Sequence, residues 1–426
     1  MIKSVDKSFS KRIGMLMSGT IVGQMSAFLA MPILSRIYDR SAFSDLGVYV
    51  SFCGIFSVIC TLRLEAAIPI AESHFEADDL YWSAFFSCSV LSVLSGIITY
   101  ILLLYEVLDV YSNPVFFALF VSISTFLIGI IQMLTALQLR HKRLNRIAQS
   151  KAAQGFFSSL SQVILGLVFH TPAAFLLGDV AGRIAGFVSF GTTREPKQPR
   201  IRLRSVLRTS RKYIDFIKFS TPAAFINSLG LQIPVFIIAS FSSSPNLGIF
   251  VFCSRVIVLP SGLIAQTLSQ LYVSELSSSK FDGIDKLQIF KRFLLVSLCL
   301  SLALSIFVIP PLGMIVPIFF GSQWSDAVTP LRIMFVASTF QIVGVAISQT
   351  ATILEKNKLQ FIWDVSRLTL VLISTIIACM LYDDITAIVL IISIVSSLSY
   401  ILLIGLSFFI IKQSSIKPRR PLQERS

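Results

Sequence analysis

Charged side chains are scarce in this chain. Asp, Glu, Lys and Arg together make up 14% of its 426 residues, whereas soluble domains carry about 25%. Hydrophobic residues reach 54%, and the mean hydropathy is +0.80. A soluble protein of this length would need a polar coat that this composition does not provide. The sequence therefore indicates an integral membrane protein.

The residue clusters of metal, disulfide and nucleotide sites are also missing. The three histidines stand far apart in the sequence, so no metal site is expected, because metal ions need clustered ligands. The six cysteines lie in apolar segments without CxxC spacing, which predicts buried, reduced thiols. No glycine-rich loop precedes a Lys-Ser or Lys-Thr pair, which argues against ATP-driven transport by this chain alone. We expect no cofactor, no metal and no catalytic residue, and hence no enzyme.

Twelve apolar runs are long enough to cross a bilayer, whose hydrocarbon core of about 30 Å needs roughly 20 residues of helix. Strands of a transmembrane barrel would instead alternate over about ten residues. The runs are Ile13–Ser35, Asp45–Ile70, Trp82–Tyr105, Val115–Leu139, Ala148–Phe169, Pro172–Phe190, Ile214–Phe241, Leu247–Leu271, Phe293–Phe320, Val328–Leu354, Phe361–Leu381 and Ile385–Ile411. The predicted fold is an all-α polytopic membrane protein with about 12 transmembrane helices.

Basic residues between the runs predict the orientation, because Lys and Arg concentrate in cytoplasmic loops. With the N-terminus placed in the cytoplasm, most of the 36 Lys and Arg residues fall on the inner side, and the outer loops hold only Arg36 and Arg40. The N- and C-termini are therefore predicted to be cytoplasmic. One inner segment, Glu72–Asp79, does not follow the rule, because its charged residues other than histidine are all acidic.

One hydrophilic connection, Gly191–Lys212, divides the chain after the sixth run and holds eight basic residues. Such segments bind anionic lipid or nucleic acid in some proteins. A cytoplasmic linker that also fixes topology is the simpler interpretation, and we expect no nucleic-acid partner. The predicted domains are an N-terminal six-helix bundle at residues 1–190, a basic cytoplasmic linker at 191–212, a C-terminal six-helix bundle at 213–411 and a basic cytoplasmic tail at 412–426.

The two predicted bundles share a short repeated motif. Leu46–Cys53, LGVYVSFC, is similar to Leu247–Cys253, LGIFVFC, and each copy follows a polar turn and opens the second run of its half. With six spans in each half, both halves start on the cytoplasmic side. The bundles are therefore predicted to form a parallel pseudo-repeat, related by an axis along the membrane normal.

Charges inside the apolar runs are the candidate functional residues, because a charge at the bilayer centre costs about 2.5–3.5 kcal/mol on insertion scales. Three pairs have the spacing of a local ion pair on one helix face, namely Asp179 with Arg183, Asp215 with Lys218, and Asp364 with Arg367. For these pairs, charge neutralisation between helices and a place in a cavity both stay open. Arg63 and Glu65 are two residues apart, so on one continuous helix they would point to different faces without neutralising each other.

Two arginines, Arg63 and Arg255, lie several turns inside the second run of their halves and are expected to face a central cavity. Arg332 is one turn from the predicted outer end of its run, where snorkelling to the interface is the preferred interpretation. A cavity lined by arginines suits phosphate, because the guanidinium donates two parallel hydrogen bonds. The predicted substrate-binding residues are Arg63, Arg183, Lys218, Arg255, Arg332 and Arg367, and the possible coupling or ion-pairing acids are Glu65, Asp179, Asp215 and Asp364.

The residues around the second run resemble a known family. Leu34–Tyr38, a polar turn, Leu46–Tyr49, and Arg63–Glu65 followed by Ala67–Ile70 look like the opening of Wzx-type O-antigen and polysaccharide flippases. This family belongs to the multidrug/oligosaccharidyl-lipid/polysaccharide exporter superfamily. The second copy of the repeat, with Arg255 and Pro260, is similar to the family's eighth span. The turn at residues 38–41 lacks the proline expected there.

The resemblance implies a function and partners. It implies a translocase that moves undecaprenyl-pyrophosphate-linked oligosaccharide repeat units from the cytoplasmic to the periplasmic leaflet of a bacterial inner membrane, by alternating access through a cationic lumen. The implied partners are the lipid-linked oligosaccharide, the bilayer, and the polymerase and chain-length regulator of the same pathway.

Two alternative functions remain open. A multidrug or cation antiporter of the same superfamily should carry uncompensated acids in its lumen, whereas cations outnumber acids within these runs. A membrane-embedded polysaccharide polymerase or glycosyltransferase should carry a large outer loop, whereas the predicted outer loops are as short as Gly321–Thr329.

Overall fold

Helices make up nearly all of the structure. The computed structural model describes residues 6–108, 110–191, 203–282, 286–354 and 356–416, and no strand occurs among them. The first part of the predicted basic linker, residues 192–202, and the predicted tail from residue 417 onward lie outside the described residues. The all-α fold class is confirmed.

The helices of the first 241 residues follow one another with short connections. They are α1 (Asp6–Ile37), α2 (Arg40–Ile59), a 3₁₀ segment (Leu64–Ile70), α3 (His74–Leu104), α4 (Pro114–Arg140), α5 (Leu144–Phe169), α6 (Pro172–Val188), α7 (Leu203–Lys212), a π segment (Phe216–Ser220) and α8 (Thr221–Phe241).

The remaining helices begin at Ser244. They are α9 (Ser244–Asp282), α10 (Lys286–Val308), α11 (Leu312–Ile315), a second π segment (Val316–Phe320), a second 3₁₀ segment (Ser322–Ala327), α12 (Val328–Ile347), α13 (Thr350–Ile353), α14 (Asn357–Leu381) and α15 (Ile385–Ile416).

Polar residues cap the starts of several helices. Asp39 accepts a hydrogen bond from the Ala42 amide at 2.9 Å before α2, and Ser73 accepts one from the Glu76 amide at 3.1 Å before α3. Side-chain acceptors at this position satisfy amides that have no partner within the helix. Asp39 thus starts α2 in the turn that lacks the expected proline.

Ten helices among the described residues are long and apolar enough to cross a membrane, or eleven if the two parts of α9 count as one span. These parts, Ser244–Val258 and Pro260–Ser277, meet at a bend of 43°, because proline removes a backbone hydrogen bond and clashes with the preceding turn. The sixth predicted run corresponds to α6, which has 17 residues and is about 25 Å long. The count of twelve spans and the orientation stay predictions.

The chain divides into two compact units. The first unit comprises Met1–Phe252 with Phe319–Ser322, and the second comprises Cys253–Ile318 with Gln323–Ser426. In the first unit, α5 packs against α1 and α6, and α3 against α4. In the second unit, α12 packs against α10 and α15, and α14 against α15. The predicted division into two six-helix bundles at residues 191–212 stays a prediction.

The acidic segment before and within the start of α3 holds the linker helix α7. Asp79 accepts hydrogen bonds from Ser205 at 2.6 Å and Thr209 at 2.8 Å. Lys212 pairs with Glu76 at 2.7 Å and with Glu72 at 2.9 Å. The acidic character of this segment, anomalous for a predicted inner loop, therefore serves to dock the basic helix that forms the last part of the predicted linker.

Candidate transport site

The predicted second span is broken, which corrects the expectation of one helix over residues 45–70. Helix α2 ends at Ile59, and Leu62 and Arg63 adopt left-handed backbone angles with φ of 52° and 58°. The chain then continues as the 3₁₀ segment. Pro69 explains the change, because in a continuous α-helix its ring would clash with the carbonyl of residue 65 and one hydrogen bond would be lost.

The break also corrects the expectation for Arg63 and Glu65. The Nη1 atom of Arg63 lies 3.7 Å from Oε1 of Glu65, because the left-handed turn redirects the arginine that a continuous helix would point elsewhere. Glu65 also accepts a hydrogen bond from Thr61 at 2.5 Å. The carboxylate is therefore held from two sides, one of them cationic.

The Arg63 guanidinium retains most of its hydrogen-bonding capacity. Its side chain is 37% exposed, and its Nε atom, although buried, has no hydrogen-bond partner among the described residues. The distance of 3.7 Å to Glu65 exceeds a hydrogen bond. A guanidinium has five N–H donors, so Arg63 presents an anion-binding group that the protein itself leaves largely unused.

Arg140, at the end of α4, fixes the far end of the 3₁₀ segment. Its Nη1 atom donates to the carbonyls of Ile68 at 3.1 Å and Ala71 at 2.7 Å, and its Nη2 atom donates to the carbonyl of Ser73 at 3.1 Å. From the sequence, Arg140 is only one of the basic residues predicted on the inner side. No sequence signal marks this role, because these carbonyls become available only through the break.

Asp179 and Arg183 form the local pair that their spacing predicts. Both the Nε and Nη2 atoms of Arg183 contact Oδ2 of Asp179, at 2.8 Å and 2.7 Å. Tyr49 on α2 donates to the same oxygen at 3.0 Å, and Ser158 on α5 donates to Oδ1 at 3.4 Å. Arg183 is buried. In contrast to Arg63, its charge is satisfied within the protein.

The predicted pair of Asp215 and Lys218 does not form. Both residues are exposed, and the ion pairs of the described residues do not include them. The chain is a π-helix from Phe216 to Ser220, whose i→i+5 bonding removes the stacking of residues three apart. This π segment contacts the 3₁₀ segment that follows Arg63.

Helices α2 and α8 are joined by polar contacts in the first unit. Ser51 on α2 donates to Gln232 on α8 at 3.0 Å, and Ser228 donates to the carbonyl of Gly54 at 2.9 Å. Gln232 therefore connects two helices, which is the interpretation expected for polar residues at helix–helix contacts in membranes.

The two glycines of the repeated motif lie at close contacts between α2 and α9. A Cβ atom at Gly47 would be 2.2 Å from Cγ2 of Val251, and one at Gly248 would be 1.9 Å from the carbonyl oxygen of Arg40. Only glycine permits such an approach without displacing a helix. The motif thus marks a reciprocal contact in which each copy contributes one glycine.

The three candidate cations of the second unit have different surroundings. Arg255 lies on α9 a few residues before the bend at Pro260. Arg332 is exposed, and a Cβ at Gly313 would lie 3.3 Å from its Nη2 atom. The third cation, Arg367, lies over an aromatic ring on its own helix.

Arg367 and its neighbours link α14 to α15. The Arg367 guanidinium lies 4.9 Å from the ring centroid of Trp363 and donates to Tyr400 at 3.4 Å. Trp363 donates to the carbonyl of Ser399 at 2.9 Å, and Asp364 accepts a hydrogen bond from Gln360 at 3.5 Å. The structure thus places Arg367 between the ring of Trp363 and the hydroxyl of Tyr400, a setting that its spacing from Asp364 does not predict.

A family of known proteins matches most of this chain. Residues 33–329 match the family described as polysaccharide biosynthesis protein. This protein belongs to that family. No curated protein matches its sequence significantly.

Solved structures with the same fold are transporters and flippases. The lipid II flippase MurJ, in an inward closed conformation, has a TM-score of 0.60 and 15% identity over 96% of this chain and 89% of that chain. MATE in complex with MaL6 has a TM-score of 0.59 and 13% identity over 96% of this chain and 97% of that chain.

A third structure comes from Pyrococcus furiosus. It is a MOP superfamily transporter, described with a binding pocket of reverse polarity, and has a TM-score of 0.58 and 14% identity over 96% of this chain and 97% of that chain. At these identities the likeness shows the fold alone. The predicted resemblance to polysaccharide flippases is confirmed for the family and the superfamily fold.

Proposed function

We propose that this protein flips undecaprenyl-pyrophosphate-linked oligosaccharide repeat units across the bacterial inner membrane, for O-antigen or other surface polysaccharide assembly. The family match over residues 33–329 carries the proposal. The protein is a multi-pass membrane protein with a fold shared by a flippase and by transporters. A polysaccharide biosynthesis protein of this architecture is suited to moving a lipid-linked precursor between leaflets.

Arg63 is the residue that we assign to the pyrophosphate. It lies in a left-handed turn after a broken helix, is partly exposed and has unused donors. A planar guanidinium matches two phosphate oxygens at once. Lys218, exposed on the π segment that contacts the 3₁₀ segment, is the proposed second cation. Arg183 is the least suitable candidate of the first unit, because a phosphate would have to displace Asp179.

In the second unit, Arg255 and Arg367 are the proposed substrate-binding cations. Arg255 lies beside the bend of α9, and Arg367 lies against the ring of Trp363, an aromatic residue of the kind that packs on sugars. Transport by alternating access requires helices that separate and rejoin. The glycine contacts between α2 and α9 are the proposed point of separation, because no long side chains interlock there and the helices can part without repacking them.

The second candidate function is a multidrug or cation antiporter, which the likeness to MATE favours. An antiporter needs a carboxylate that is available to its cation. Asp179, however, already accepts hydrogen bonds from Arg183 and Tyr49, and Glu65 faces Arg63. A substrate cation would have to compete with an arginine at either acid, so the arrangement supports an anionic substrate.

Complementation of a flippase-deficient host tests the proposal. Wild-type protein is expected to restore surface polysaccharide, and Arg63→Ala and Arg255→Ala to reduce it at least tenfold, because each removes a proposed substrate-binding cation. Arg63→Lys should retain partial activity, since it keeps the charge but loses the planar fork. Lys291→Gln, which removes an exposed charge on α10, is the matched control and should stay active.

Two results would contradict the proposal at different levels. Full activity of both alanine variants, at normal protein levels in the membrane, would refute the cationic lumen. Failure of the wild-type protein to restore polysaccharide, together with export of cationic dyes by the same cells, would favour the antiporter.

A further inference from the structure

The linker helix α7 has two faces with different surroundings. One face is docked on α3 through the contacts of Asp79 and through a hydrogen bond of 2.7 Å between Ser83 and Ser210. Val206 and Thr209 are buried on this face. Arg208 and Arg211 are exposed, and their spacing of three residues places them together on the helix surface.

The exposed side chains that the structure describes on α7 are all basic. The sequence of α7, LRSVLRTSRK, contains no acid, and the acidic residues Glu72 and Glu76 are engaged with Lys212. The docking contacts therefore fix the helix in place without neutralising Arg208 or Arg211. A docked helix also loses less conformational freedom on binding a ligand than a free segment does.

The position of α7 brings this face to the edge of the membrane. Helix α7 ends at Lys212, four residues before the candidate span Phe216–Phe241, and docks on the first turns of the candidate span His74–Leu104. Four residues of helix are about 6 Å long, which is less than the Debye length of about 8 Å at physiological salt. Phe219, at the start of the span, is 70% exposed.

We propose that the exposed face of α7, formed by Arg208 and Arg211, binds the phosphate headgroups of anionic phospholipids in the adjoining leaflet. Basic residues next to a span attract anionic lipid, and each contributes about a fivefold gain in affinity. The site holds α7 between two partners, the acids of α3 and the lipid surface. This inference is independent of the transported substrate and does not require the proposed function to be correct.

Native mass spectrometry of the purified full-length protein in a neutral detergent tests the site, with phosphatidylglycerol as the anionic probe and phosphatidylcholine as the neutral one. Arg208→Gln with Arg211→Gln is expected to lower the apparent affinity for phosphatidylglycerol roughly thirtyfold and to leave phosphatidylcholine binding unchanged. The matched control, Lys291→Gln with Arg292→Gln, removes two exposed charges from α10, where Glu275 lies 3.7 Å from Arg292, and should lower the affinity for phosphatidylglycerol by less than the α7 variant does. Arg208→Lys with Arg211→Lys should retain binding, because the charge is kept.

Several outcomes would overturn the inference. Equal phosphatidylglycerol binding by the wild type and the glutamine variant would show that this face is not a lipid site. An equal loss in the α10 control would assign the effect to total charge. Stronger retention of undecaprenyl pyrophosphate than of phosphatidylglycerol, lost in the glutamine variant, would assign the face to the substrate instead. If the double variant fails to fold, Arg208→Gln and Arg211→Gln singly should each lower the affinity about fivefold, and no loss in either would refute the site.

Discussion

Replacing Gly47 with alanine is expected to open the contact between α2 and α9. The new Cβ would lie 2.2 Å from Cγ2 and 3.2 Å from Cγ1 of Val251, whereas ordinary contacts of a Cβ begin at 3.4 Å. Overpacking of a well-packed contact costs about 1–3 kcal/mol. When the helices relieve the clash by separating, the open contact becomes about 5- to 150-fold more populated.

Cysteine labelling measures this opening. Ser51 lies one turn beyond Gly47 on the same face of α2 and is 1% exposed, while Cys299 is the exposed cysteine of the chain. In a background with Cys53→Ser and Cys299→Ser, the labelling rate of Ser51→Cys with N-ethylmaleimide, followed by peptide mapping, reports how often the contact opens. The rate in Gly47→Ala should rise by the same factor as the open population.

Two further variants separate this mechanism from general destabilisation. Val251→Ala removes both γ-methyl groups, so in combination with Gly47→Ala the nearest remaining Val251 atom is a Cβ at 3.3 Å, and labelling should return towards the Val251→Ala rate. Gly248→Ala meets the Arg40 carbonyl oxygen at 1.9 Å, so Val251→Ala should not rescue it. The reasoning would be refuted if Val251→Ala lowered the labelling rate of Gly248→Ala, or if it failed to lower the labelling rate of Gly47→Ala.

Three other predictions concern the first unit. Arg140→Gln removes charge-assisted hydrogen bonds worth about 1.5–3 kcal/mol each, so amide hydrogen exchange in the 3₁₀ segment should rise at least tenfold; unchanged exchange would contradict it. Asp179→Asn leaves Arg183 buried without a counter-charge, which destabilises the fold by about 3–5 kcal/mol. The yield of folded protein should therefore fall, and it should recover when Arg183→Leu is added. Equal yields of the wild type and Asp179→Asn would contradict this prediction. The hydrogen bond that Glu76 accepts raises the pKa of Lys212, so the protection of the α7 amides from hydrogen exchange should be complete below about pH 10 and should fall above it. A loss of this protection between pH 7 and 9 would contradict the prediction.

Much of the fold could be predicted from local sequence. Long apolar runs identify membrane-spanning helices because the bilayer imposes both a length and internal backbone hydrogen bonding. The pair of Asp179 and Arg183 was predictable for the same reason, since both residues lie on one uninterrupted helix. Where the helix is regular, spacing along the sequence translates directly into geometry.

The candidate site could not be predicted in the same way, because its geometry depends on irregular backbone. Residues 60–64 lie within the predicted apolar run, and Pro69, whose ring disfavours a continuous helix, lies several residues beyond the left-handed turn. The same limit applies at Asp215 and Lys218, where a π-helix separates a predicted pair. Cys299 is a further difference: it was expected to be buried and is exposed on α10.

Two arginines of the first unit, Arg63 and Arg183, show why an irregular backbone suits a transport site. Arg183 lies on a regular helix, and its burial requires a full set of partners, because an unpaired buried charge costs several kcal/mol. Arg63 lies in a left-handed turn, a conformation that costs roughly 1–3 kcal/mol at a non-glycine residue. In this strained turn the Arg63 guanidinium lies partly exposed at the end of a span, and its Nε donor has no hydrogen-bond partner among the described residues. A protein that must bind an anion and then release it needs an arginine of the second kind, which is why Arg63 is the first residue to replace.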